Sequence, residues 1–260
     1  MIVEAARLMS RRYGLACTTY SDDWVIVLEK DGRRLVICGY AFGLNTDAAS
    51  ACANDKVATY HLLAAMRLPV VPHYLLSTIV TERVDRQLLG RLLEEHTSLV
   101  VKPLRGSRGD MVARFNNARG IVSFMRRNGE REWTASPFID IQSETRVVVF
   151  DGIIHLVYEK INPVVVGNLK MFNLSKGTEA RNVELSEVPQ KLKNLATQAM
   201  DALNLRIGAV DIVLDSSGTA RVIEINSHFS LDHFAESSEA NKTLVVQFYE
   251  FIIGKTFGLD

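Results

Sequence analysis

One eighteen-residue stretch, Ala209-Val-Asp-Ile-Val-Leu-Asp-Ser-Ser-Gly-Thr-Ala-Arg-Val-Ile-Glu-Ile-Asn226, constrains this chain more than any other. Two β-branched runs flank Ser217-Gly218, which reads as a hairpin. A two-residue turn there sets Asp211 directly opposite Glu224. Opposed residues share a face, with Cβ atoms about 4.5–5.5 Å apart. Asn226, two positions on, points the same way. Val210, Ile212, Ile223 and Ile225 are expected on the other, apolar face. Opposed carboxylates repel, and a divalent cation cancels that repulsion. Oxygen-only donors suit Mg²⁺, its shell completed by water and substrate phosphates. The plainer alternative is a solvated polar face on an exposed hairpin.

A polyanionic substrate needs local positive charge, and the overall balance hides it. The 260 residues carry 30 Lys+Arg against 30 Asp+Glu, a net charge of zero. That balance excludes the global basic field of a non-specific nucleic-acid or membrane-surface binder. No apolar run approaches the ~20 residues of a bilayer span. Met1–Ser10 lacks the apolar core of a signal peptide. Three cysteines, Cys17, Cys38 and Cys52, lack CxxC spacing and read as reduced thiols of a cytoplasmic protein.

Along the chain, residues 2–13 read as a helix stopped by Gly14. A strand at 15–20 follows. A hairpin comes next, its strands 24–28 and 35–38 joined through Asp31-Gly32. Helices are predicted over 55–67, 81–95, 117–128, 187–204 and 236–255. Strands are predicted at 99–102, 111–115, 133–139, 144–150, 153–161, 207–215 and 219–226. Helices mixed with antiparallel hairpins give an α+β class.

Two further motifs carry chemistry. Lys102 ends a strand, and Gly106-Ser107-Arg108-Gly109 follows. Glycines let backbone N–H groups approach a phosphate, and Lys supplies a point charge. This order is not a Walker A loop, where the Lys follows the glycines. Gly254-Lys255-Thr256 lacks the upstream Gly of that motif and reads as a helix end. Asn54-Asp55-Lys56 opens a helix, with Asp55 or Asn54 as N-cap. Read alone, Lys56 is a solvated first-turn residue.

Taken in order, these motifs resemble the ATP-grasp superfamily, and within it the carboxylate–amine ligases of the ribosomal-protein glutamate ligase, cyanophycin synthetase and glutathione synthase groups. The matching segments are Asn54-Asp-Lys56, Leu68-Pro-Val-Val-Pro72, Leu99-Val-Val-Lys-Pro103 with Gly106–Gly109, Pro137-Phe-Ile139 and Glu144-Thr-Arg146. Asn173-Leu-Ser-Lys-Gly177, Val210-Asp-Ile212 and Ile223-Glu-Ile-Asn226 complete the series. Each is short; their order over residues 54–250 makes the resemblance specific.

The resemblance implies an ATP-grasp fold: two α+β lobes clasping ATP. A short N-terminal α/β segment (1–54) precedes a small lobe (55–136) and a large lobe carrying the metal site (137–260). It implies that Lys56 and Lys102 contact ATP phosphates and that Gly106, Ser107 and Gly109 close over them. Pro137, Phe138 and Ile139 are the expected adenine-reading hinge, and Glu144 the ribose-binding acid. Arg146, Lys160 and Asn173 are expected at the phosphoryl group or acyl phosphate. Asp211, Glu224 and Asn226 are the expected ligands of Mg²⁺, or of Mn²⁺ in its place. Lys56, Lys102, Arg105, Arg108, Arg146 and Lys160 are expected to converge on one cleft.

Three departures from the family pattern stand out. Pro137 replaces the usual hinge Glu, Met171 stands where a basic residue is usual, and Ser227-His228-Phe229-Ser230 replaces Ser-Pro-Gly. His228, Asp232 and His233 invite a metal reading; loop histidines touching substrate is the better one.

The implied reaction joins a carboxylate to an amine through an acyl phosphate, releasing ADP and phosphate. The substrates are small molecules, an amino acid or peptide among them, with no nucleic-acid or membrane partner. Ligases of this kind are often homo-oligomers. The alternatives are a phosphotransferase acting on a hydroxyl and a non-catalytic ATP-binding protein.

Overall fold

The computed structural model describes residues 1–77, 85–106, 109–129 and 132–259. Its elements run α1 (Ile2–Tyr13), β1 (Ala16–Tyr20), β2 (Val25–Lys30), β3 (Arg33–Cys38), α2 (Asp47–Asn54), α3 (Lys56–Ala65), β4 (Tyr74–Ser77), α4 (Arg86–Glu95), β5 (Leu99–Pro103), β6 (Ala113–Phe115) and α5 (Ala118–Asn128). Then come β7 (Trp133–Pro137), β8 (Ile141–Phe150), β9 (Ile153–Ile161), β10 (Val164–Val166), β11 (Leu169–Met171), β12 (Glu179–Asn182), α6 (Gln190–Ala202), β13 (Ile207–Asp215), β14 (Ala220–Asn226), α7 (Asp232–Glu236) and α8 (Glu239–Phe257). The class is α+β, as the patterning implies.

Local chemistry sets the boundaries. Gly14 adopts the left-handed conformation that ends α1, its N–H bonded to Ser10 O. Thr46 caps the unpredicted α2. Asp55 closes α2 and opens α3, its Oδ1 accepting from Val57 N at 3.0 Å and Ala58 N at 2.9 Å. That cap fixes where Lys56 begins its helix. The strands β4, β10, β11 and β12 are short and flank polar or glycine-bearing segments, so periodicity gives them little signal. The predicted start of helix 81–95 lies outside the described residues at 81–84; the described helix begins at Arg86.

A five-stranded antiparallel sheet, ordered β12-β9-β8-β13-β14, forms the centre. One face packs Val147, Val149, Val157, Val210, Ile212 and Ile225 against α2, α3 and α6. The other packs Val148, Phe150, Leu156 and Ala209 against α1, α8 and the β1-β2-β3 meander. Burying each large aliphatic or aromatic side chain contributes roughly 1.5–3 kcal/mol. Asn45 ties the N-terminal segment to β13, its side chain accepting from the Ile207 N–H at 3.1 Å and donating to Ile207 O at 2.8 Å. A four-stranded sheet, β4-β7-β5-β6, packs α4 and α5 over Leu89, Leu99, Val101, Ile121 and Trp133.

The key hairpin departs from its expected turn and keeps its expected pairing. Three residues, 216–218, separate the bonded Asp215 and Thr219, with Gly218 at φ 78°. That longer turn alone would slip the register by one. A β-bulge restores it: Ile212 pairs with Val222, Asp211 pairs with Glu224, and Ile223 is the extra residue. Ile223 therefore leaves the apolar face and lines the cavity described below, while Val222 takes the core position. The expectation for Ile223 is corrected; that for Asp211 opposite Glu224 stands.

Candidate active site

A cavity of 610 Å³ lies between the four- and five-stranded sheets. Alternation aims Lys102 into it: on β5, Leu99 and Val101 are buried in the small core while Val100 and Lys102 line the cavity. Lys56 also lines it and is buried rather than solvated. Its Nζ donates to Gly106 O at 3.0 Å and Leu104 O at 3.4 Å. Burial lowers the Lys56 pKa. Burial, then the charge of Lys56, pushes Lys102 down to about 8. Lys56 and Lys102, with no paired carboxylate among the described residues, make an electropositive wall suited to an anion.

The opposite wall comes from the five-stranded sheet. Arg146, Asp211 and Glu224 occupy one row across β8, β13 and β14, and Glu144 pairs with Lys160 across β8 and β9. Arg146 grips Asp211 bidentately, at 2.7 Å from Nε and 2.6 Å from Nη2. Lys160 bridges Glu144 and Asp211, its contact to the latter 3.1 Å. Asp211 is fully buried behind these cations and, unlike Glu224 and Asn226, does not line the cavity. Burial opposes its ionisation, yet Arg146 and Lys160 outweigh burial and hold its pKa well below the usual carboxylate range. Burial raises Glu144 to about 7 despite Lys160.

Glu224 and Asn226 face the cavity. The Asn226 amide donates to Glu224 Oε1 at 3.3 Å and to Asp211 Oδ2 at 3.4 Å, so it sits between the two carboxylates. Glu224 has no ion-pair partner among the described residues. These hard oxygen donors fit a divalent cation such as Mg²⁺, with the amide turned to present Oδ1. Among the described residues no group of three His, Cys, Asp or Glu side chains could hold a metal ion. The metal reading of His228, Asp232 and His233 gains no support.

The cavity rim collects the remaining expected residues. Pro137, Phe138 and Ile139 line it where β7 ends. Pro137 pairs with Leu99 on one side, and β4 stops opposite Ala135, so the missing N–H costs no ladder bond. The Phe138 N–H is spent on Ser98 O at 3.0 Å, and Arg114 stacks 3.4 Å from the Phe138 ring centroid. Gly106, Gly109 and Asn173 also line the cavity. Gly109 has φ 67°, and a Cβ there would stand 2.4 Å from Asn173 Oδ1. Only glycine lets the loop approach Asn173 so closely.

Two expected loop residues, Ser107 and Arg108, lie outside the described residues. Arg105 does not join the cleft. It is exposed and pairs with Glu132 at 2.5 Å and Asp55 at 3.4 Å. Tyr40 and Ser230, which carried no assigned role, line the cavity together with Asp232, noted above only beside the loop histidines. Tyr40 comes from the N-terminal segment, 192 positions from its partner Asp232. No local pattern signals such a contact.

A sequence model of the RimK-like ATP-grasp domain matches residues 53–247. No curated protein matches the chain in sequence. Among solved structures, the ATP-grasp ligase PsnB complexed with minimal precursor superposes with TM-score 0.55 at 19% identity, over 78% of this chain and 64% of that one. The match therefore spans under two thirds of the PsnB chain. The D-cycloserine synthetase DcsG gives 0.55 at 20% identity, over 76% and 71%. The D-alanine–D-alanine ligase of Bacillus anthracis, complexed with ATP, gives 0.58 at 17% identity, over 81% and 70%. At such identities the likeness speaks for the fold, and it agrees with the family match covering most of the chain. The chain belongs to the RimK-like ATP-grasp family.

Proposed function

We propose that this protein is an ATP-dependent carboxylate–amine ligase, forming an amide or peptide bond through an acyl phosphate and releasing ADP and phosphate. One observation carries the reading. Lys56, Lys102, Arg146 and Lys160 meet the oxygen donors Glu224 and Asn226 in a single cavity, with Asp211 directly behind. PsnB, DcsG and D-alanine–D-alanine ligase, which share the fold, are named as a ligase, a synthetase and a ligase.

In this reading Lys56 and Lys102 hold the nucleotide phosphates, and the loop bearing Gly106 and Gly109 covers them. Residues 137–139 hold adenine, and Glu144 the ribose. Asp211, Glu224 and Asn226 would hold Mg²⁺ or Mn²⁺, which would supply charge neutralisation at the phosphates. Arg146, Lys160 and Asn173 face the transferring phosphoryl group and the activated carboxylate. Such a site works by positioning and electrostatics, with no covalent nucleophile. The substrates are a small carboxylate and a small amine, with an amino acid or peptide on at least one side. Among the described residues no helix is long and apolar enough to cross a membrane. The three cysteines are free, which supports a cytoplasmic setting.

The test is a screen of amino-acid and dipeptide pairs for ADP release, followed by product mass. A pair giving ADP and a condensed product is expected, and Glu224→Gln should abolish turnover while the fold persists. Full turnover in that variant would sink the metal assignment. A phosphorylated product that hydroxylamine cannot intercept would point to phosphotransfer to a hydroxyl instead.

A further inference from the structure

The carboxylates around the cavity are not equivalent. Asp110 pairs with Lys176, Asp140 with Lys170 and Glu144 with Lys160. Glu224 is bonded to Asn226 beside the proposed metal site. Asp232 has no ion pair among the described residues, yet it lines the cavity. Its Oδ2 is fixed twice, accepting from Tyr40 Oη at 2.5 Å and from Ser230 Oγ at 2.8 Å. Ser230 Oγ in turn accepts the Asp232 N–H at 3.0 Å. Oδ1 has no hydrogen-bond partner among the described residues.

This corner adjoins the Arg146 end of the cavity. Phe234, two residues beyond Asp232, stacks on Tyr158 at 4.6 Å, and Tyr158 pairs with Arg146 across β8 and β9. A carboxylate oriented by two hydroxyls, with one oxygen open and no protein cation, is a receptor for an N⁺–H donor.

We infer that Asp232, held by Tyr40 and Ser230, is the subsite for a primary ammonium group of the substrate. The inference rests on the ligase reading for its place in the reaction, since both an attacking amine and an amino-acid carboxylate substrate bring an ammonium. It does not need that reading for binding.

The test uses the full chain and two probes, L-alaninamide and neutral N-acetyl-L-alaninamide, followed by saturation-transfer NMR. Alaninamide should bind near pH 6.5 and lose affinity at least about tenfold by about pH 9.5, as an α-amine with pKa near 8 deprotonates. The acetylated probe should not bind. Asp232→Asn should weaken alaninamide by about tenfold or more, the scale of one charge-assisted hydrogen bond. Tyr40→Phe should weaken it less, because the charge remains. Equal binding of both probes would overturn the inference. So would unchanged alaninamide binding in Asp232→Asn. Should that variant not fold, the acetylated probe and the pH arm on the wild-type protein decide.

With a competent substrate pair, hydroxylamine in place of the amine separates the two sources. A KM increase confined to the amine assigns Asp232 to the attacking amine. An increase in the carboxylate KM that persists with hydroxylamine assigns it to the ammonium of the carboxylate substrate. Both KM values unchanged would refute the subsite. Alaninamide binding without ADP release from any pair would sink the ligase reading and leave the subsite standing.

Discussion

Arg146→Met tests the buried charge row directly. Asp211 has no exposed side-chain surface, and Arg146 is 15% exposed. Removing one partner of a buried pair costs about 3–5 kcal/mol, because the other charge is left desolvated and uncompensated. Lys160 remains 3.1 Å from Asp211, so the cost should fall at the lower end, about 3 kcal/mol. For a chain of this size that lowers the melting temperature by about 6–12 °C. Arg206→Met is the matched control. Arg206 also grips a carboxylate bidentately, Asp151 at 2.8 and 2.9 Å, but the two side chains are 54% and 40% exposed. Its loss should cost below about 1 kcal/mol. Urea unfolding of both variants, and of Arg146→Met combined with Asp211→Asn, measures the difference and the coupling. The double variant should recover at least about 1 kcal/mol of the loss, because the stranded carboxylate is gone. Equal costs for Arg146 and Arg206, or strict additivity in the double variant, would refute the reasoning.

Other outcomes follow from single side chains. Burial and the charge of Lys56 push Lys102 down to about 8, so affinity for a fluorescent ATP analogue should fall as pH rises through about 8. Lys102→Ala should bind weakly without that dependence, and a persisting slope would reassign it. Glu144 carries a folded pKa raised from 4.5 to about 7. Its stabilising share is therefore present below about 4.5 and lost as pH rises through about 7. Denaturation midpoints of Glu144→Gln relative to wild type should improve over that window; a flat difference would contradict the assignment. Asp211 has the opposite sign: its depressed pKa contributes stability above the ordinary carboxylate range, lost as acid protonates it. Asp211→Asn should accordingly flatten the acid limb of the wild-type stability curve. Gly109→Ala combines a positive φ, costing about 1 kcal/mol or more, with a Cβ pressed on Asn173. Nucleotide affinity should drop while the melting temperature moves by only a few degrees, and unchanged affinity would remove Gly109 from the binding loop.

Part of the site is legible in the sequence through the strand period of two, and the rest through the family resemblance. Lys102 at a strand end and Asp211 opposite Glu224 follow from alternation and pairing, while Glu144 and Arg146, two apart on one strand, are picked out by the family resemblance. Lys102, Glu144, Arg146 and Glu224 line the cavity, and Asp211 pairs with Glu224 directly behind it. Lys56 was not legible alone, since a first-turn lysine is ordinarily solvated. It is buried because the Asp55 cap fixes the helix start and the backbone carbonyls of Leu104 and Gly106 receive its ammonium. Arg105 shows the reverse: near the loop in sequence, it turns outward to Asp55 and Glu132.

Sequence by itself determined the longer elements, the class and the facing carboxylates of the β13–β14 hairpin, because local propensity and strand period need no distant partner. Tertiary structure decided what those carboxylates meet. Arg146 and Lys160 neutralise Asp211 from β8 and β9 of the same sheet, and a bulge at Ile223 compensates a turn one residue longer than expected. Tyr40 reaches Asp232 only because the N-terminal meander packs on the same sheet face as α7 and α8. Long-range contacts of this kind depend on how sheets and helices stack, and no periodicity within a single segment encodes them.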